Sequence, residues 1–299
     1  MTLGNAGENL PQSSRRAFKK EEINQLKKGV LRETDLALER RRAPHERGVL
    51  YREAVWEDIR FTALTVTEEA RESGLPVGKT LSVSLSPSLL WEAGEKKQVL
   101  DALRLALQIF FPTLPERLLV AGLGNRRLTA DSLGPITADL VEVTAALPEA
   151  ISALFGLSPT TRVAVVLPDV FPKTGIESVR TVASAAKLHR ADAVLTLDAL
   201  AAKEKERLFR VIEITDTGTV PGGGVKQGSL SLTQKELGIP VVAIGIPTVV
   251  RMGEEHFLVS RHMEEELHAL APLLAEAINL HFGDVSPLEN KKITSLFDK

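Results

Sequence analysis

Cysteine is absent from the 299 residues. That excludes disulfides, thiolate zinc sites, iron–sulfur clusters and a cysteine nucleophile, and it fits a cytosolic protein. Long apolar runs are missing too: none approaches the roughly 18–20 residues of a membrane span. The polar N-terminus has no signal-peptide h-region. An excess of one charge is also lacking, since 37 Lys and Arg stand against 39 Asp and Glu, for a net charge of −2. Such a balance gives no general pull toward nucleic acid or anionic membrane, so neither is expected as a partner. The G-x-S-x-G nucleophile elbow does not occur, which removes support for a common serine hydrolase. H-E-x-x-H does not occur either. What is present is a 43 % hydrophobic fraction, enough for a full core in one or two domains.

Three motif look-alikes fail on spacing or context. Gly74-Leu75-Pro76-Val77-Gly78-Lys79-Thr80 resembles a phosphate-binding loop but is one residue short. The segment after it reads as a strand, whereas such a loop must open a helix whose N-terminus holds the phosphate. Gly122-Leu123-Gly124 follows a strand, but Arg127 occupies the place of the third glycine in a dinucleotide fingerprint. His262 and Glu266 stand one helical turn apart and read as a solvated helix face.

Residues 1–35 form an N-terminal arm, polar from Met1 to Ser14 and charged from Phe18 to Lys28. Thr34-Asp35-Leu36-Ala37-Leu38-Glu39 alternates apolar with small or charged residues and predicts a strand. Val49–Val66 predicts two strands and Thr80–Leu85 another, while Gln98–Phe111 has helical spacing closed by Pro112. From Leu118 onward, short apolar runs alternate with amphipathic stretches: strands at 118–121, 163–166, 193–197, 211–214 and 241–244, helices at 132–147 and 176–188. Continuous apolar strands are buried on both faces, which predicts an α/β fold with a mainly parallel sheet covered by helices. A long helix over 264–282 closes a single domain spanning 36–282, and residues 283–299 form a polar tail.

In open α/β sheets, sites form beyond the carboxyl ends of the strands. Four loops there are rich in special residues: Gly122–Pro135, Pro168–Glu177, Asp198–Ala201 and Asp216–Gly224. Each has a structural explanation: Asp131 and Asp198 as helix caps, Gly122 and Gly124 as a tight turn, Asn125 as a turn residue. Two carboxylates ending different strands of one sheet carry a second meaning. Close carboxylates do not both ionise easily, so one keeps its proton near neutrality. The ionised partner activates water and the protonated one donates to a carbonyl oxygen or leaving amine. The residues alone therefore point to a hydrolase that needs no serine, cysteine or metal.

Several stretches in fixed order resemble the germination protease family, the endopeptidases of spore-forming bacteria that degrade small acid-soluble spore proteins. They are Gly122-Leu123-Gly124-Asn125 with Thr129, Asp131, Leu133, Gly134 and Pro135; Thr174-Gly175-Ile176-Glu177; Asp198-Ala199-Leu200-Ala201; Asp216-Thr217-Gly218; and Leu237–Val250. Thr34–Glu39 resembles the family's propeptide junction. The resemblance covers Thr34 to about Phe282. It implies a phosphorylase/hydrolase-like three-layer α/β/α fold related to the hydrogenase maturation endopeptidases. It also implies a self-processing zymogen and catalytic aspartates at Asp131 and Asp198. Site loops are implied around Gly122, Gly124, Asn125, Lys173, Thr174, Gly175, Glu177, Asp216 and Gly218.

Processing is implied at the Asp35–Leu36 bond, with Lys173, Arg126 and Arg127 as cationic partners for the acid before the cut. No cofactor is implied, although the maturation-type relatives bind a metal and a metal-dependent endopeptidase is one alternative. A non-catalytic spore protein-binding factor is another. The expected setting is a homotetramer in the forespore and spore core. The chain departs from the family in carrying Pro168-Asp169-Val170-Phe171-Pro172 where Pro-Gly-Val-Met-Gly is usual, which stiffens that loop and adds a carboxylate. The arm is longer than usual, the basic stretch after Val225 is replaced, and the family's C-terminal extension is absent.

Overall fold

A computed structural model describes residues 34–40, 47–86, 96–147, 160–221, 230–253, 256–283, 288 and 290–298. The chain divides into residues 1–31 and 32–299, and all described residues belong to the second unit. The segment 18–28 of the arm lies outside the described residues.

Among the described residues, nine strands form one mixed sheet. They are β1 (Val49–Trp56), β2 (Ile59–Val66), β3 (Gly78–Ser84), β4 (Arg117–Gly122), β5 (Arg162–Val166), β6 (Ala193–Ala202), β7 (Val211–Thr215), β8 (Val241–Met252) and β9 (His256–Val259). Their order is β1-β2-β3-β7-β8-β6-β4-β5, with β9 antiparallel to β8. The run β8-β6-β4-β5 is parallel; β1, β2, β3 and β7 extend it by antiparallel pairing. The parallel character expected from the sequence is thus confined to one side of the sheet, from β8 to the edge strand β5. Gly78–Ser84 is a strand, so the phosphate-loop look-alike opens no helix.

Among the described residues, four helices cover the two faces: α1 (Lys96–Phe110), α2 (Leu133–Asp139), α3 (Ser178–His189) and α4 (Met263–Phe282). Alternation along β4 explains the layering. Leu118 and Val120 join one core with residues of α1, α2 and α4, whereas Leu119 and Ala121 join a second core with Val179, Val182 and Ala186 of α3. Each residue from Leu118 to Ala121 therefore has apolar partners, which is why this stretch reads as an unbroken apolar run. After β4 the chain moves to β5 on one side; after β5 it returns through α3, on the opposite face, to β6 on the other side of β4. That reversal makes the carboxyl ends of β4 and β6 the place where an open sheet leaves a crevice.

Four expectations change. Thr34–Glu39 is not a strand: Ala37–Arg40 forms a single helical turn, because the Glu213 carboxylate takes the Ala37 N–H at 3.0 Å and also the Leu38 N–H. The helix expected over 132–147 ends at Asp139, and the Thr144 and Ala145 amides turn to the Val163 carbonyl of β5. The tail is not wholly peripheral, since Ile293 and Leu296 are buried in the main core and Arg52 donates to the Leu296 carbonyl at 3.3 Å. Glu266 is not solvated; it is buried and paired with Arg210 at 3.0 Å. His262 bonds Glu265 instead, on an exposed turn.

Candidate active site

Asp131 lies in the loop that carries β4 into α2. It does not cap that helix, whose N-cap Ser132 makes no side-chain cap. Its Oδ2 instead accepts the Asn125 N–H at 2.8 Å, folding the loop back on itself. The fold-back needs Gly124, whose φ is +111° and where a Cβ would stand 2.2 Å from the Asp131 carbonyl oxygen. Gly134 then seats α2 on the strand ends, for a Cβ there would lie 2.3 Å from both the Leu123 and Leu197 carbonyl oxygens. The Leu123 N–H donates to that Leu197 oxygen at 2.8 Å, tying the β4 loop to β6 one residue before Asp198.

Asp198 sits within β6, level with Gly245 of β8. Its Oδ1 accepts the Ala199 N–H at 2.9 Å, and the Thr219 hydroxyl lies 3.4 Å from Oδ2. Burial pushes its carboxyl up to about 8, and the charges of Asp131 and then Asp35 push the same way. Asp131 is also raised, by burial first and then by the charge of Asp169, against the opposing Asn125 N–H. The charge of Asp131 thus reaches Asp198 at the crevice, and burial favours the protonated form of Asp198.

Asp169, on the β5 side, joins this group. It takes φ +57°, the left-handed region that glycine favours. Its carboxylate pairs with Lys173, which also reaches Asn125 Oδ1 at 3.4 Å. The lysine holds the Asp169 carboxyl below the usual carboxylate range.

The N-terminal junction is docked here as well. The Asp35 N–H donates to the Ala201 carbonyl of β6 at 2.8 Å, and the Ala201 N–H returns a bond to Asp35 Oδ2 at 2.9 Å. Leu36 is 0 % exposed. The cations expected to face Asp35 are engaged otherwise: Arg126 pairs with Asp139 and Lys173 with Asp169. Arg127 donates its N–H to Asn125 Oδ1 at 3.0 Å and lends its charge to Asp169.

The other expected residues divide. Gly122 ends β4, Gly124 and Asn125 shape the Asp131 loop, and Gly218 precedes Thr219 at the Asp198 side. Thr174 bonds within its own loop, to the Val170 and Ile176 carbonyls. Gly175 closes the short turn Phe171–Thr174 and Glu177 starts α3 without a side-chain cap. Asp216 faces β3, accepting the Lys79 N–H at 2.6 Å. The hydrogen bonds of Thr174 and Asp216 thus run to their own loop and to β3. Sequence reasoning passed over Thr219 and Glu213. The signal for Glu213 was a lone acid inside the apolar run of β7. Among the described residues, no group of three or more His, Asp or Glu side chains is arranged to hold a metal ion. None of the described helices is long and apolar enough to cross a membrane.

The germination protease family model matches residues 27–256. This chain belongs to the germination protease family. Membership gives it a protease role in spore germination. It is 36 % identical over 223 residues to the germination protease of Caldanaerobacter subterraneus subsp. tengcongensis, covering 73 % of this chain and 68 % of that one. The Clostridium perfringens germination protease is 33 % identical over 227 residues, covering 73 % and 70 %. That of Bacillus cytotoxicus is 35 % identical over 241 residues, covering 73 % and 62 %. Among solved structures, the [NiFe] hydrogenase maturation protease HycI of Thermococcus kodakarensis is similar at a TM-score of 0.35 and 22 % identity, over 58 % of this chain and 98 % of that one.

Proposed function

We propose that the chain is an aspartate-dependent endopeptidase that cuts small acid-soluble spore proteins in the forespore and spore core. It is made as a zymogen that processes itself at Asp35–Leu36 and acts as a homotetramer without a cofactor. The observation that carries this reading is convergence: Asp131, Asp198 and the Asp35 segment meet at the carboxyl ends of β4 and β6. In the ionised form Asp131 takes a proton from water as the water oxygen bonds to the peptide carbonyl carbon. Protonated Asp198 donates to the carbonyl oxygen. Collapse of the tetrahedral adduct breaks the C–N bond as the proton held by Asp131 passes to the leaving amine, and one hydroxyl of the adduct returns its proton to Asp198 as the carboxyl product forms.

The test is digestion of a purified small acid-soluble spore protein by the full-length chain, followed by mass spectrometry. Cuts are expected between an acidic and an apolar residue. Asp131→Asn and Asp198→Asn keep size but not proton transfer, so each lowers turnover by about 10²–10⁴-fold with an unchanged circular dichroism spectrum. Near-normal turnover in either variant removes that residue from the chemistry.

A further inference from the structure

β8 does not stay in step with β6 along its whole length. Asp198, Ala199 and Leu200 pair with Gly245, Ile246 and Pro247, but Ala201 pairs with Val249. Thr248 is therefore the extra residue of a bulge, on the strand beside Asp198. A bulge bends its strand and re-aims a side chain, and it tolerates proline because the ladder is already interrupted there. Pro247 stands next to this one, and its carbonyl accepts the Phe209 N–H at 2.9 Å.

Thr248 is 1 % exposed. Ile246 and Val250, two residues to either side of it along β8, belong to the main core. A hydroxyl in such surroundings needs a partner. It donates to the carbonyl of Ala130, the residue before Asp131, at 2.5 Å. The other bonds of that turn are local. The Asp131 N–H donates to the Leu128 carbonyl at 2.8 Å, and the Ser132 hydroxyl to the Thr129 carbonyl at 2.9 Å. The Asn125 N–H that meets the Asp131 carboxylate comes from the same loop. Among the described residues, the Thr248 hydroxyl is thus the one hydrogen-bond donor that reaches the turn Thr129–Asp131 from the sheet.

We propose that Thr248 is a positioning residue for the aspartate pair. Its hydroxyl holds the Asp131 turn to β8, the neighbour of the strand that carries Asp198, and so keeps the Asp131 carboxylate where its charge reaches Asp198. The inference rests on the reading of Asp131 and Asp198 as the cutting pair. Without the hydroxyl the Ala130 carbonyl loses its tie to the sheet, and the turn shifts with Asp131 on it. A misplacement of about 1 Å costs a reaction roughly a hundredfold. The charges that face Asp198 are those of Asp131 and Asp35. Asp35 hangs on Ala201 of β6, so a loosened turn weakens the Asp131 contribution alone.

Two substitutions separate the hydroxyl from the packing. Thr248→Val keeps the branched shape that suits a strand and removes the hydroxyl. Thr248→Ser keeps the hydroxyl and removes the methyl group. The first measurement is steady-state cleavage of a purified small acid-soluble spore protein by the full-length chain. Thr248→Val lowers kcat by about tenfold to a hundredfold and leaves KM within about twofold, and Thr248→Ser retains most of the wild-type kcat. The second is the pH titration of the Asp198 carboxyl, read by carbon-13 NMR on aspartate-labelled chain and assigned with Asp198→Asn. Its midpoint moves to lower pH in Thr248→Val, the direction in which Asp131→Asn also moves it, and keeps its wild-type position in Thr248→Ser. Circular dichroism confirms that each variant is folded. Wild-type kcat in Thr248→Val, equal losses in Thr248→Val and Thr248→Ser, or an Asp198 midpoint unmoved by Thr248→Val makes the threonine a brace of the core and overturns the proposal. A wild type that cuts nothing counts against the protease reading instead, and the Asp198 titration then decides for or against the tether.

Discussion

Asp169 stands at the residue whose backbone asks for glycine, and it brings a charge to the edge of the aspartate pair. Its carboxylate stays ionised against Lys173 and raises Asp131. The proposed chemistry needs Asp131 ionised and Asp198 protonated, so activity rises as pH climbs through the Asp131 pKa and falls as it passes about 8. These limbs belong to the coupled pair. Asp169→Gly removes a like charge and leaves Lys173 without its carboxylate, and both changes favour ionised Asp131. The acid limb of the pH–rate profile is expected to move to lower pH, while the alkaline limb stays near its wild-type position. Thermal stability is expected to hold or rise, because glycine accepts φ +57° without strain. An acid limb that stays in place would separate Asp169 from the pair.

At the scale of elements, α1 and α4 pack around a buried imidazole. His281 lies edge-on to Phe282, with Phe111 beside it, and its Nε2 is buried without a hydrogen-bond partner. Burial, and then the charge of Arg104, lowers its pKa to about 4. The unfolded chain protonates this ring below about 6.5, whereas the native state does not until about 4. Its contribution to stability is therefore complete above 6.5 and is lost as pH falls from there through 4. His281→Phe keeps a ring and removes the titration. Its stability relative to wild type, from denaturation midpoints at pH 7 and pH 4, is expected to rise on acidification by about 3 kcal/mol at most. The same element scale shows what was legible in the sequence. β4 and β6 declared themselves because both of their faces are apolar, and Asp131 and Asp198 followed as the carboxylates beyond or within those runs. Thr34–Glu39 misled because its two leucines belong to different clusters, Leu36 to the main core and Leu38 to the small one around Leu64 and Val66. A strand would set both leucines on one face, whereas the turn of helix sends them to different clusters. The grip of Thr248 on the Ala130 carbonyl had no local signal, for the two residues lie 118 apart along the chain.

For the molecule as a whole, the consequence is that one chain holds both the segment proposed to be cut and the carboxylates proposed to cut it. Asp35 is bonded to Ala201, three residues from Asp198, and its charge is felt by that carboxyl. A segment already seated in the cleft does not wait for an encounter, so the cut at Asp35–Leu36 is expected to be intramolecular. Its rate per molecule should then be independent of concentration. Purified full-length chain, diluted over about a hundredfold range, should yield the Leu36 N-terminus at one first-order rate, read by N-terminal sequencing or intact mass. Asp198→Asn should stay uncut, and mixing it with wild type should leave it uncut still, since the wild-type site is filled by its own segment until that segment leaves. Early processing of the Asp198→Asn chain by wild type, or a rate that scales with concentration, would mean that the seated junction is a lock opened by another copy.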